Sequence, residues 1–215
     1  MSPARWRESR KGLGVFLNIP YDPAFERLYI AYIAGLSAFG LVARSALEIP
    51  SGGRQRDRIS RIFSIMLECK YSLHDLSHVK LDRAEPSTPR FNMPFELGMA
   101  AALTEFSNAK DHIWFVFEAR AGRLAKSLSD LRGVDEFVHH GSVSGLLGCL
   151  NNAFVRPDHR PRMSEVKAIY RDLRRNLPSI QAEAGAHSAF EARVFLDLAV
   201  QAGITARRHI SWLAR

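Results

Sequence analysis

The chain has 215 residues, 47% apolar and 24% charged, a globular composition that excludes disordered and collagen-like chains. Its two cysteines, Cys69 and Cys149, exclude a disulfide scaffold and multi-cysteine zinc patterns, and fit a reducing, cytoplasmic setting. The net charge of +8 raises the question of nucleic acid, but residues 15–154 carry 15 basic and 15 acidic side chains, so the excess sits in the two ends. A neutral body with basic ends is the pattern of a solvated or assembling surface, and nucleic acid is not the expected partner.

Residues 1–14 read as a basic arm. The segment MSPARWRESRKG lacks the apolar core of a secretory signal. Residues 15–19 are a short apolar run stopped by Pro20-Tyr21-Asp22-Pro23, a buried strand followed by a turn. Over 24–39, Phe25, Leu28, Tyr29, Tyr32, Ile33 and Leu36 recur at helical spacing, and 41–46 reads as a second strand. This apolar stretch falls short of the roughly 20 residues of a membrane span, so no membrane partner is expected.

A Pro/Gly/Ser loop leads to an amphipathic helix over 57–70, with arginines 54, 56, 58 and 61 around its start. Those arginines suit a solvated helix end or a pyrophosphate. Residues 71–76 form a third strand, and Asn92-Met93-Pro94 opens a helix over 95–106. IWFVF at 113–117 is the most apolar strand, and 136–139 is a short fifth one before a helix at 142–154.

Strands and helices alternate through 15–156. That predicts an α/β domain: a flavodoxin-like or Rossmann-like parallel sheet of about five strands with helices on both faces. After Pro157 the pattern is helical only, so 157–215 reads as a C-terminal helical appendage packed on the sheet or on a second subunit. Within it Ser188-Ala189-Phe190-Glu191 fits a capping box, opening a helix that ends at Gly203. A homo-oligomer is the expected state.

Ligands of such sheets bind at the carboxyl ends of the strands. There the sequence brings Asn18, Tyr21 and Asp22 after strand one, His74, Asp75 and Ser77 after strand three, Asn92 and Glu96 at the third helix, and Glu118 after strand four. Glu118 reads as a solvent-facing acid and His139-His140 as an exposed loop pair. His74 and His78 lack a third ligand, so no metal is expected.

VFLNIPYDPAF, YSLHDLS and FNMPFELGMAAAL resemble the nucleoside 2-deoxyribosyltransferases and their relatives, with the Toll/interleukin-1 receptor (TIR) fold as a cousin. Members of both groups cleave N-glycosidic bonds, in nucleosides or in NAD. The resemblance covers about residues 15–118, and Glu96-Leu97-Gly98-Met99-Ala100 is its most specific piece. It implies Glu96 and Asp75 as catalytic carboxylates and Tyr21 near the sugar, with Asn18, Asp22, Ser77 and Asn92 as further substrate-binding candidates. NAD enters only as a substrate, and no cofactor is implied. The sequence departs from the deoxyribosyltransferase pattern at Arg90-Phe91-Asn92-Met93-Pro94, where that pattern has an acidic residue and a small polar stretch.

The chemistry gives Glu96 a role of its own. Breaking an N-glycosidic bond builds positive charge on the sugar, and a carboxylate beneath the anomeric carbon stabilises or traps it. In the first turn of a helix the dipole favours the ionised form. Glu96→Gln is then expected to cost no more than about 1 kcal/mol of stability. Asp75 would hold ribose hydroxyls or protonate the leaving base. Such an enzyme requires Glu96, Asp75 and Tyr21 to converge on one cleft; carboxylates on opposite faces of the sheet sink it. The alternative is a non-catalytic TIR-like module that senses a nucleotide or self-assembles, which requires only the ligand site and an exposed apolar patch. A nucleic-acid partner on the basic ends ranks third.

Overall fold

The computed structural model describes residues 12–48, 55–79, 81, 85–106 and 111–213, with backbone alone for 55–57. Most of the basic arm, and the side chains of Arg54 and Arg56, lie outside the described residues.

Five parallel strands form one sheet: β1 (Gly14–Asn18), β2 (Val42–Ser45), β3 (Tyr71–Asp75), β4 (Ile113–Glu118) and β5 (Glu136–Val138). Their order is β2-β1-β3-β4-β5, the flavodoxin-like order expected from the alternating pattern. The chain leaves β1 for β2 on one side, then returns past β1 to β3. The crevice of the topological switch therefore opens between the carboxyl ends of β1 and β3.

Side chains alternate along each strand and divide the core in two. Val15, Leu17, Tyr71, Leu73 and Phe117 face α1 (Glu26–Ala38), α5 (Val143–Phe154), α6 (Met163–Ala184) and α7 (Ala192–His209). Phe16, with Ile62, Met66, Ala100 and Leu103, packs on the other face, which α2 (Gln55–Glu68) and α3 (Asn92–Phe106) cover. Leu76 and Val116 continue that second face with Met93 and Leu97 of α3 and Leu124 of the short α4 (Arg123–Ser127).

Every residue of α1 from Leu28 to Ala38 is buried. A helix apolar all round needs cover on both sides. The sheet supplies one side, and α6 and α7 supply the other through Val166, Ile169, Leu173, Leu177, Val194, Phe195 and Leu198. Each such side chain removed from water contributes about 1.5–3 kcal/mol. The C-terminal helices thus share one core with the sheet and are packed chiefly on α1, with α7 also reaching the edge strand β2.

Two boundaries differ from expectation. α3 begins at Asn92, so Glu96 falls in the second turn. α7 begins at Ala192 and runs through Gly203 to His209. The turn before it is still a capping motif: Glu191 Oε1 accepts from the backbone N–H groups of His187 at 2.8 Å and Ser188 at 3.0 Å. Gly203 ends nothing because Ala202, Thr205 and Ala206 continue the buried stripe beyond it.

Candidate functional site

Asn18, the last residue of β1, is 4% exposed. Its Nδ2 donates to the Met93 carbonyl at 2.8 Å and to His74 Nδ1 at 2.9 Å. Donors and acceptors then run in one direction. His74 Nε2 donates to Ser72 Oγ, Ser72 to His112 Nε2, and His112 Nδ1 to the Cys69 carbonyl, each at 2.9 Å. Both imidazoles are neutral in this chain, and burial lowers the His74 pKa to about 3. The Asn18 Nδ2 is therefore committed to tying β1 and β3 to the start of α3, the helix that carries Glu96.

Tyr21 is half-buried, with its ring against Phe190 at 6.1 Å. Its hydroxyl donates to the Leu17 carbonyl at 3.2 Å and shares a 2.6 Å hydrogen bond with Ser45 Oγ at the end of β2. Burial holds the phenol well above its ordinary pKa, and the nearby Glu96 charge adds to that.

Glu96 itself is partly buried, and no described residue hydrogen-bonds to or ion-pairs with its carboxylate. Loss of solvent pushes its pKa from 4.5 up to about 7, against the opposing pull of the Arg58 guanidinium. This reverses the expectation of a dipole-stabilised, fully ionised acid. The dipole effect is spent within the first turn, and Glu96 lies one turn further in. At neutral pH the group is poised between acid and base.

Asp75 goes elsewhere. It shares parity with Tyr71 and Leu73 along β3, so it points to the α1 face, opposite α3. Fully buried, its carboxylate accepts from Tyr32 Oη at 2.7 Å and from Ser77 N at 2.9 Å, and His139 Nε2 lies 3.2 Å from it. His139 Nδ1 accepts from Gly141 N at 3.0 Å, which leaves the ring proton on Nε2. Ser77 Oγ is taken up by the same imidazole at 3.0 Å. Asp75 and Ser77 are thus saturated structural groups, and the expected convergence of Asp75 with Glu96 fails.

His139 is fully buried rather than in an exposed pair, whereas His140 is exposed at φ 54°. Glu118 is also buried, held by Arg123 at 3.4 Å and by Ala119 N at 2.7 Å, and its pKa is raised by that burial. Cys69, just past the end of α2, is buried.

Asp22 and Asn92 stand at the rim. Asn92 is exposed at the first position of α3. Asp22 caps the turn Pro23–Phe25 through Oδ1, which accepts from Phe25 N at 3.1 Å. Its Oδ2 accepts from His78 Nδ1 at 2.8 Å. The His78 ring meets the edge of Phe25 at a centroid distance of 5.3 Å, and its Nε2 has no partner among the described residues. A carboxylate-oriented imidazole thus sits on the β1 and β3 loops flanking the crevice. Sequence reasoning weighed His78 only as a metal ligand beside His74, because nothing local couples residues 56 positions apart.

Among the described residues, no group of three or more His, Cys, Asp or Glu side chains is arranged to hold a metal ion. No helix there is long and apolar enough to cross a membrane. The outer face of α3 is apolar: Phe95 and Phe106 are 56% and 89% exposed, with Phe91 just before the helix at 63%. No family model, curated protein or solved structure matches the chain.

Proposed function

We propose that the chain is a ligand-binding α/β module. It takes a nucleoside or nucleotide, NAD included, in the β1–β3 crevice and self-associates through the outer face of α3. The carrying observation is Glu96, a partly desolvated carboxyl with no hydrogen-bond or ion-pair partner among the described residues, on the helix that follows β3 beside the switch point of the sheet. A group held there at a cost in stability is one that a ligand is positioned to satisfy. Ribose hydroxyls and the exocyclic N–H groups of a base are donors of the right kind. The exposed phenylalanines Phe91, Phe95 and Phe106 supply the apolar patch that an assembling module needs.

The second reading is an N-glycosidase, with NAD or a nucleoside as substrate. In its two-carboxylate form it is lost, because Asp75 and Glu96 lie on opposite faces of the sheet. It survives in a narrower form that rests on Glu96 and on His78. Ionised Glu96 stabilises positive charge on the sugar, and the Asp22-oriented imidazole transfers the proton.

Incubation with NAD and a nucleoside panel separates these readings, with calorimetric titration for binding and chromatography of products for turnover. Binding that weakens at least about tenfold in Glu96→Gln, with no product formed, supports the module. Turnover that falls by about 10²-fold or more in the same variant supports the glycosidase. Binding or turnover indifferent to Glu96→Gln refutes both assignments of the site.

A further inference from the structure

α3 turns Met93, Leu97, Ala100 and Leu103 to the core. The opposite stripe, one residue every three or four, is Phe91, Phe95, Gly98, Ala102 and Phe106, and all five are exposed. α1, which is also apolar on every side, has its outer face covered by α6 and α7. Among the described residues the α3 stripe has no such cover. Its three rings together expose about two whole phenylalanines, on the order of 400 Å². Ile59 and Leu67, exposed on α2 in the same layer, add to that apolar face. A stable interface needs roughly 800 Å² from each partner, so the rings alone supply about half of one.

The order of the residues along the stripe says what fits on it. Gly98 sits in mid-helix, where glycine is less stable than alanine. Nothing in the protomer requires it: its φ is not positive, and an added Cβ would meet no atom within 4 Å. A bare backbone followed one turn later by Ala102 admits the close approach of another helix. Bulky rings at both ends and small residues between them make the stripe its own complement. Laid antiparallel on a copy of itself with Gly98 opposite Ala102, it sets Phe95 against Phe106, since both pairs share a midpoint near residue 100. The charges agree. Arg90, exposed just before the helix, meets the end at which the second copy carries Glu105, exposed in the last turn. A parallel arrangement would set like charges together.

We infer that the protein forms a closed two-fold dimer in which α3 packs antiparallel on α3 of a second copy, centred on Gly98 and Ala102. This rests on the reading of the outer face of α3 as the self-association surface, and it fixes the symmetry and the extent of that association. A face that pairs with itself is satisfied by one copy, so assembly stops at two; an open-ended array requires two different faces. Glu96 lies in the N-terminal half of α3, so the two copies of it lie toward opposite ends of the helix pair and the two crevices stay separate.

The test is sedimentation equilibrium of the full chain from about 1 μM to about 100 μM, with thermal melts of each variant. The wild-type protein is expected to reach a dimer and no larger species. Phe95→Lys should weaken the dimer at least about thirtyfold, the loss of a buried aromatic anchor. Gly98→Gln should weaken it at least about tenfold without lowering the melting temperature, because the protomer has room for the side chain and the helix gains propensity. Arg90→Glu should weaken it several-fold, since the symmetry repeats the contact, and Arg90→Glu/Glu105→Arg should return it to within about threefold of wild type. Species that grow beyond two with concentration, a dimer sensitive to Phe95→Lys but not to Gly98→Gln, or a charge exchange that does not restore pairing each overturn the antiparallel two-fold dimer and leave α3 as the self-association surface. A dimer indifferent to every one of these variants overturns that reading as well. A monomer at every concentration does the same and leaves the face to a different protein.

Discussion

Replacing Glu96 by Gln should stabilise this protein at alkaline pH. The carboxyl titrates near 4.5 when solvated and at about 7 in the fold. Between those values the native state holds a proton that the unfolded chain has released. Stability therefore falls as pH rises from about 4.5 to about 7, and the full penalty persists above that. At about 1.4 kcal/mol per tenfold change in proton affinity, the penalty approaches 3 kcal/mol, a ceiling that the residual solvent contact of Glu96 lowers. Glutamine keeps the size and loses the titration. The variant should gain about 1 kcal/mol at pH 5 and up to about 3 kcal/mol at pH 8.5. For a chain of this size the larger figure corresponds to a melting temperature higher by roughly 6–12 °C. Thermal or urea melts of both proteins at the two pH values measure it. A gap independent of pH, or a variant less stable than wild type at pH 8.5, refutes the account of Glu96 as a desolvated acid. It would restore the reading of Glu96 as an ordinary favourable helix charge. Gained stability together with lost ligand binding is the signature of a functional group held against its solvation preference.

Three further outcomes follow from the same geometry. Asp75→Asn should destabilise by about 3–5 kcal/mol, because it disrupts a buried set of partners comprising Tyr32, Ser77 and His139; a denaturant midpoint within error of wild type would show that the network is slack. Gly145→Ala sets a Cβ against the His139 carbonyl, which the backbone cannot easily yield, and should cost at least about 1–3 kcal/mol by thermal melting; unchanged stability would refute that close approach. A chain ending at Pro157 loses the cover of α1 and should fail to give a cooperative melt or a dispersed amide spectrum; a folded fragment would show that α6 and α7 are dispensable.

The strands, the helices between them and the α/β class follow from patterns that are local and therefore readable, whereas the strand order is set by packing. Short apolar runs closed by Pro or Gly gave five strands, and helical spacing gave the segments between them. The same locality put Glu96 on a helix after β3 and Tyr21 in the turn after β1. The parity of Tyr71, Leu73 and Asp75 was also present in the sequence, but its meaning depended on which helix covers which face. Only the packed structure decided that α1 lies over Asp75 while α3 lies beneath the sheet, so that two acids adjacent in the topology never meet. The same holds for Asp22 with His78, a pairing made across distant segments that no local period encodes. It holds most plainly for the protonation of Glu96. The residue type and its position on a helix predict an ionised acid, and the surrounding chain, by excluding water from one carboxyl, decides otherwise.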